Sequence, residues 1–254
     1  MIKTGHDLTE TEIIEKYSKL THRRGLGKEF NYKVLSLVGD LTGKKVIDVG
    51  CGYGELLEEI DAHYKCSLYG VDIIDIRLAE LLKKLPGRII IKNSDIQSNI
   101  PFPNDYFDIV FLLETLEHLK NPDKCIEEIK RIVKEDGLIV LTIPNATGYF
   151  PFYLMGSFIP TRWLRGKLLP YEHPSNTDQP IDTCYNYKEI VNIITRNNLK
   201  IEKVEGWRYF RYLQTLPLVR NIYKIIYPLI VWIMSKIKAE RFAYNLIFLC
   251  SVKT

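Results

Sequence analysis

From residue 46 to residue 145 the chain alternates short apolar runs with stretches whose apolar residues recur at helical spacing. The runs are Val46–Val49, Leu68–Asp72, Arg88–Lys92, Phe107–Leu113 and Leu138–Asn145. They are rich in Val, Ile, Leu and Phe, as strands buried on both faces are. Between them, Leu56, Leu57 and Ile60 mark one helix, residues 75 to 84 a second, stopped by Pro86-Gly87, and about 123 to 133 a third. The pattern resumes with a helix at about 187 to 196, a strand from Leu199 to Gly206 and a last strand near residues 244 to 252. Alternation of this kind predicts an α/β fold, a largely parallel sheet with helices on both faces.

Three regions fall outside the alternation. Residues 1 to 43 hold two helical patterns, at 9 to 20 and 29 to 38, the first opening on a capping box from Thr9 to Glu12. They read either as a packing extension or as a lid over a ligand. Residues 149 to 182 begin rich in aromatics and prolines, with Arg162, Arg165 and Lys167 interleaved, and become polar and loop-like from His173 to Asp182. Residues 208 to 241 are apolar and basic; the longest run, Ile225 to Met234, spans ten residues, about half of a bilayer crossing. That stretch reads either as a helical cap or as a membrane-interface anchor or lipophilic channel wall.

The chemistry centres on Val46-Ile47-Asp48-Val49-Gly50-Cys51-Gly52-Tyr53-Gly54-Glu55. A buried strand, a glycine turn and a helix N-terminus build a nucleotide-type crevice at the carboxyl edge of a parallel sheet. The spacing is not that of the nicotinamide fingerprint, because Glu55 stands where its third glycine belongs, and no Gly-Lys-Ser/Thr marks a phosphate loop. Asp48 at the strand end would repel a pyrophosphate and suits a ligand bearing positive charge. Asp72 lies 22 residues after Gly50, where a doubly wound fold places the acid that takes both ribose hydroxyls; its alternative is a surface acid. Asp95 reads as a ligand contact or as a turn residue.

These residues, with Phe107-Asp108 before the apolar strand, resemble the class I S-adenosylmethionine-dependent methyltransferases over about residues 44 to 206 and the last strand. The resemblance implies a Rossmann-like seven-stranded sheet of order 3-2-1-4-5-7-6, strand seven antiparallel, with apolar insertions after strands five and six. One domain would run from 44 to 254. The cofactor implied is S-adenosyl-L-methionine, held by Asp48, Gly50, Cys51, Gly52, Gly54, Asp72, Ile73, Asp95, Ile96 and Leu113. Asp95 would meet the adenine amino group and the backbone of Ile96 a ring nitrogen.

Glu114-x-x-Glu117-His118 ends the fourth strand of that frame. Were the segment helical, the three side chains would share one face. The pattern resembles the metal site of the ubiquinone-pathway O-methyltransferases and of the small-RNA terminal 2′-O-methyltransferases. It implies a divalent Mg, Mn or Zn ion on Glu114, Glu117, His118 and a later histidine, for which His173 is the candidate. The other reading makes His118 a metal-free base, with Glu117 beside it, or a structural residue.

Composition narrows the partners. Thirty-five basic against 31 acidic residues leave a net charge of +4, too mild to argue for nucleic acid. Cysteines at 51, 66, 125, 184 and 250 form no C-x-x-C pair, which suggests a reducing cytoplasm. The N-terminus lacks a signal-peptide core and no run of eighteen apolar residues occurs. The expectation is a cytoplasmic methyltransferase, peripheral at the membrane if the 208–241 segment docks there, acting on an oxygen of a lipophilic or aromatic small molecule. An RNA 2′-O-methyltransferase and a non-catalytic donor-binding protein are the alternatives, and a nicotinamide oxidoreductase the third.

Overall fold

The computed structural model describes residues 2–20, 27–149, 179–210 and 220–253. The strands are β1 (Ile2–Thr4), β2 (Lys45–Val49), β3 (Ser67–Asp72), β4 (Ile89–Asn93), β5 (Phe107–Leu113), β6 (Val133–Pro144), β7 (Asp182–Cys184), β8 (Leu199–Tyr209) and β9 (Ala243–Val252). The helices are α1 (Glu10–Ser18), α2 (Lys28–Leu35), α3 (Glu55–His63), α4 (Asp75–Lys84), α5 (Pro122–Ile132), α6 (Tyr187–Arg196) and α7 (Arg220–Lys236).

Seven strands form one sheet in the order β4-β3-β2-β5-β6-β9-β8. Counted from β2, this is the expected 3-2-1-4-5-7-6. β9 is antiparallel to both its neighbours, and the remaining pairs are parallel. Because side chains alternate along a strand, each strand feeds two cores. Ile47, Val49, Val110 and Leu112 face α5, α6 and α7, whose Ile126, Ile129, Ile190 and Met234 close that side. Val46, Ile109 and Phe111 face α2, α3 and α4, met by Val34, Leu57 and Leu81. The parallel order brings the ends of β2, β3, β5 and β6 to one edge, and the loops that leave that edge build the site.

Thr9 caps α1 with the expected reciprocal bonds to Glu12, and α4 and α6 span the expected residues. One region differs. Asp182, read as the end of a polar loop, begins β7, which pairs antiparallel with β1, Ile2 opposite Cys184 and Thr4 opposite Asp182. Two three-residue strands separated by most of the chain carry no periodicity, so only their pairing reveals them. The aromatic-rich stretch from 150 to 170 lies outside the described residues, as does His173. Among the described residues no helix is long and apolar enough to cross a membrane.

Candidate functional site

The glycine turn leaves β2 and folds back under β3. Gly50 and Cys51 donate their amides to the Val71 carbonyl at 2.8 and 3.1 Å. Gly50 takes a φ of 77°, and a Cβ there would stand 2.6 Å from the Thr115 side chain. Gly54, at a φ of 76°, is the N-cap of α3, and a Cβ on it would lie 2.2 Å from Leu81. A side chain at either position would meet both a strained backbone and a neighbour that must move aside. At Gly52 a Cβ would meet nothing within 4 Å, so the crest of the turn faces open space. The structure thus has the bare main chain that a ligand would lie against.

Asp72, buried at the end of β3, anchors this turn. Its Oδ2 accepts from the Gly52 amide at 2.9 Å and its Oδ1 from the Ile74 amide at 2.9 Å. Asp48 is buried alongside. Burial, and then the Asp72 charge, push its carboxyl up to about 8, so at neutral pH it holds a proton. Two carboxylic acids in one buried crevice are short of positive charge, which suits a cationic ligand. Burial also holds the Cys51 thiol well above its ordinary range, so it packs rather than acts as a thiolate. Ile73 is half-buried beside Asp72, Ile96 is buried, and Leu113 is half-buried at the end of β5. Asp95 closes an Asx turn, its Oδ1 accepting from the Gln97 amide at 2.9 Å. The turn reading of Asp95 is therefore present, and one of its oxygens is already engaged.

The helical face expected for Glu114, Glu117 and His118 does not form. Only Leu116–His118 makes a single 3-10 turn, and Glu114 precedes it with a φ of 47°, a conformation that costs a non-glycine residue energy and occurs mostly where the surroundings enforce it. Here the enforcement is visible. The Glu114 carboxylate is drawn toward the antiparallel pair β6–β9, accepting from Thr142 Oγ1 at 2.9 Å and from Asn245 Nδ2 at 2.7 Å. Burial pushes Glu114 up to about 7. Glu117 is buried and raised well above its ordinary value by burial and by Glu114. Its Oε2 has no hydrogen-bond partner, and its Oε1 lies 3.7 Å from His118 Nε2.

Among the described residues no group of three or more His, Cys, Asp and Glu side chains is arranged to hold a metal ion. Both Glu114 oxygens already accept hydrogen bonds, so among the described residues Glu114, Glu117 and His118 do not form a metal-binding group. His118 is held otherwise. Its Nδ1 lies 2.8 Å from the Ile181 carbonyl oxygen, just before β7. A carbonyl only accepts, so in the neutral ring Nδ1 carries the proton and Nε2 the lone pair.

The N-terminal segment reaches the same point. Tyr17 of α1 donates to the Ile181 carbonyl at 3.4 Å, and its ring packs edge-on to His118, centroids 6.2 Å apart. Arg77 of α4 donates to the Tyr17 carbonyl at 3.1 Å and lies over the Tyr53 ring of the glycine turn. His6 bonds Thr183 at 2.8 Å, and Lys120 donates to the Leu8 carbonyl. Thr115, Thr142, Ile181, Asn245 and Arg77 all shape the site without any sequence signal. Each acts through a contact between distant segments. Tyr17 alone was within reach, as a member of the first helical pattern.

A family model described as a methyltransferase domain matches residues 47–141. A ubiquinone biosynthesis O-methyltransferase of Nitrosomonas europaea is 30% identical over 147 residues, 52% of this chain and 62% of that protein. The chain thus spans under two thirds of that relative's length. A putative S-adenosylmethionine-dependent methyltransferase of Listeria monocytogenes has the same fold, with a TM-score of 0.60 at 15% identity, over 95% of this chain and 99% of the other. So does Haemonchus contortus phosphoethanolamine N-methyltransferase 2, solved with S-adenosyl-L-methionine, with a TM-score of 0.63 at 18% identity, over 95% of this chain and 57% of the other.

Proposed function

We propose that the chain is a class I S-adenosylmethionine-dependent methyltransferase, as its similarities support, and that it transfers a methyl group to an oxygen of a lipophilic or aromatic small molecule. The observation that carries the reading is the pairing of a turn left bare at Gly50, Gly52 and Gly54 with the buried acids Asp48 and Asp72. The donor, when bound, supplies an activated methyl on a positively charged sulfur. Gly50, Gly52 and Gly54 would give it main-chain surface, and Asp72 would exchange its bond to the Gly52 amide for the ribose hydroxyls. Ile73, Ile96 and Leu113 would flank the adenosyl group, and Asp95 would use its remaining acceptor capacity toward the adenine amino group.

For the acceptor, His118 is the base in this reading. Its Nδ1–H, given to the Ile181 carbonyl, directs Nε2 to take the proton of a hydroxyl as its oxygen attacks. Glu117, buried beside His118, would steady the imidazolium that forms. Much of the rate would come from alignment in a dry crevice, and the β1–α1 segment would supply the cover as a lid. The oxygen preference is supported by the ubiquinone O-methyltransferase relatives. The test is a panel of phenols, catechols and prenylated phenols, beside amines and short RNA, with radiolabelled methyl donor. Label on a phenolic oxygen that disappears in His118→Ala is expected; label on amine or RNA alone would overturn it.

A further inference from the structure

The crossover between β8 and β9 leaves an unusual surface. Of the thirteen large apolar side chains exposed among the described residues, eight lie between Ile222 and Phe242. They are not scattered. α7 turns Tyr223, Tyr227, Ile230, Val231 and Met234 onto the protein's own core. Its opposite side carries Ile222, Ile225, Ile226, Leu229, Trp232 and Ile233, with Ile225 79% and Trp232 59% exposed. A helix apolar on both sides belongs between two apolar media, and the fold supplies one.

Along α7 itself the charge has one sign. From Gly206 to Ala239 the chain contains no acidic residue. Lys224, Lys236, Lys238 and Arg241 are exposed on the helix or just beyond it. The helix is too short to span a bilayer, and its 17 residues are about 25 Å long, suited to lying along a surface. An apolar face, an interfacial tryptophan and the exposed Lys224 and Lys236 on a helix that carries no acid fit the boundary of an anionic bilayer.

We propose that the outward face of α7 is a docking surface for an anionic lipid bilayer. The helix is also placed to matter there. Tyr223 donates to the Tyr209 carbonyl at 2.5 Å, and Tyr227 accepts from the Arg208 amide at 3.0 Å. Both anchors lie at the carboxyl end of β8, the sheet edge that carries Glu114 and the glycine turn. Docking through α7 therefore brings the crevice edge to the lipid surface, where a membrane-dissolved acceptor would be found. The docking itself does not depend on methyl transfer.

The test is co-flotation of the full chain with phosphatidylcholine vesicles, with and without phosphatidylglycerol, while Trp232 emission is followed. The wild type floats with the anionic vesicles, and its emission shifts to shorter wavelength. Ile225→Glu with Leu229→Glu, both at exposed positions, abolishes flotation and leaves the thermal melt and donor binding unchanged. Lys224→Gln and Lys236→Gln, which alter no apolar contact, each weaken flotation roughly fivefold, and added salt does the same. Absence of flotation with every vesicle would overturn the proposal. So would a wild-type dimer in solution that the Ile225→Glu/Leu229→Glu pair dissociates while vesicle binding is unaffected, since the face would then cover a second copy.

Discussion

His118 Nδ1 lies 2.8 Å from the carbonyl oxygen of Ile181, so a backbone group on one side of the crevice fixes the tautomer of an imidazole on the other. The consequence is testable with a substitution that keeps the bond and loses the base. Asparagine can still donate to Ile181 but cannot take a proton. His118→Asn is expected to retain donor binding and to lose turnover of a hydroxyl acceptor by roughly 100- to 10,000-fold. Full activity in that variant would show that His118 only packs.

Asp48 gives the free protein a signature in pH. Its folded value near 8 stands above the ordinary 3.8, so between those values the folded chain holds a proton that the unfolded chain releases. Stability therefore falls as pH rises from about 4 to 8, and Glu114, pushed up to about 7, adds to the same slope. Asp48→Asn removes its share. Its melting temperature should exceed that of the wild type at pH 8 and match it more closely at pH 5. A positively charged ligand beside Asp48 favours the ionised acid, so donor binding should release a proton in wild type and not in Asp48→Asn. Calorimetry in buffers of different ionisation enthalpy measures that release.

At Gly54 the cost of a methyl group can be apportioned. Gly54→Ala adds a Cβ 2.2 Å from Leu81, at a φ of 76°. A loss of about 1–3 kcal/mol in denaturant melts is expected. Gly54→Ala combined with Leu81→Ala should cost less than the sum of the two single changes, because the overlap is gone while the backbone strain persists. Strict additivity would mean that backbone strain accounts for the whole effect.

The sheet was legible in the sequence because buried parallel strands and the helices between them each have their own period. The turn from Gly50 to Gly54 and the acid Asp72 were legible because the backbone there admits few residue types. Glu114 was not. Its spacing to Glu117 and His118 suggested one helical face, but hydrogen bonds from Thr142 and Asn245, on strands far along the chain, draw it away. β1 and β7 escaped for the same reason, since three residues carry no period and each pairs with a segment far away in the chain. What local patterning determines could be read; what long-range pairing determines could not.

The lid assignment rests on α1, which buries none of its residues and touches the site mainly through Tyr17. Segments held by so few contacts open readily. Backbone amides from Ile13 to Tyr17 should exchange quickly in the free protein, and slow by about tenfold or more once donor product and an acceptor analogue are bound. Exchange that is slow from the start would mark α1 as a fixed packing extension.

The central claim is that the turn at Gly50 to Gly54 and Asp72 hold a methyl donor, and isothermal titration with S-adenosylmethionine and S-adenosylhomocysteine tests it most directly. The account predicts saturable binding of one molecule per chain, weakened about tenfold to a hundredfold in Asp72→Ala, which removes a charge-assisted acceptor. No binding of either molecule to a folded wild-type protein, or equal affinity in Asp72→Ala, would contradict it.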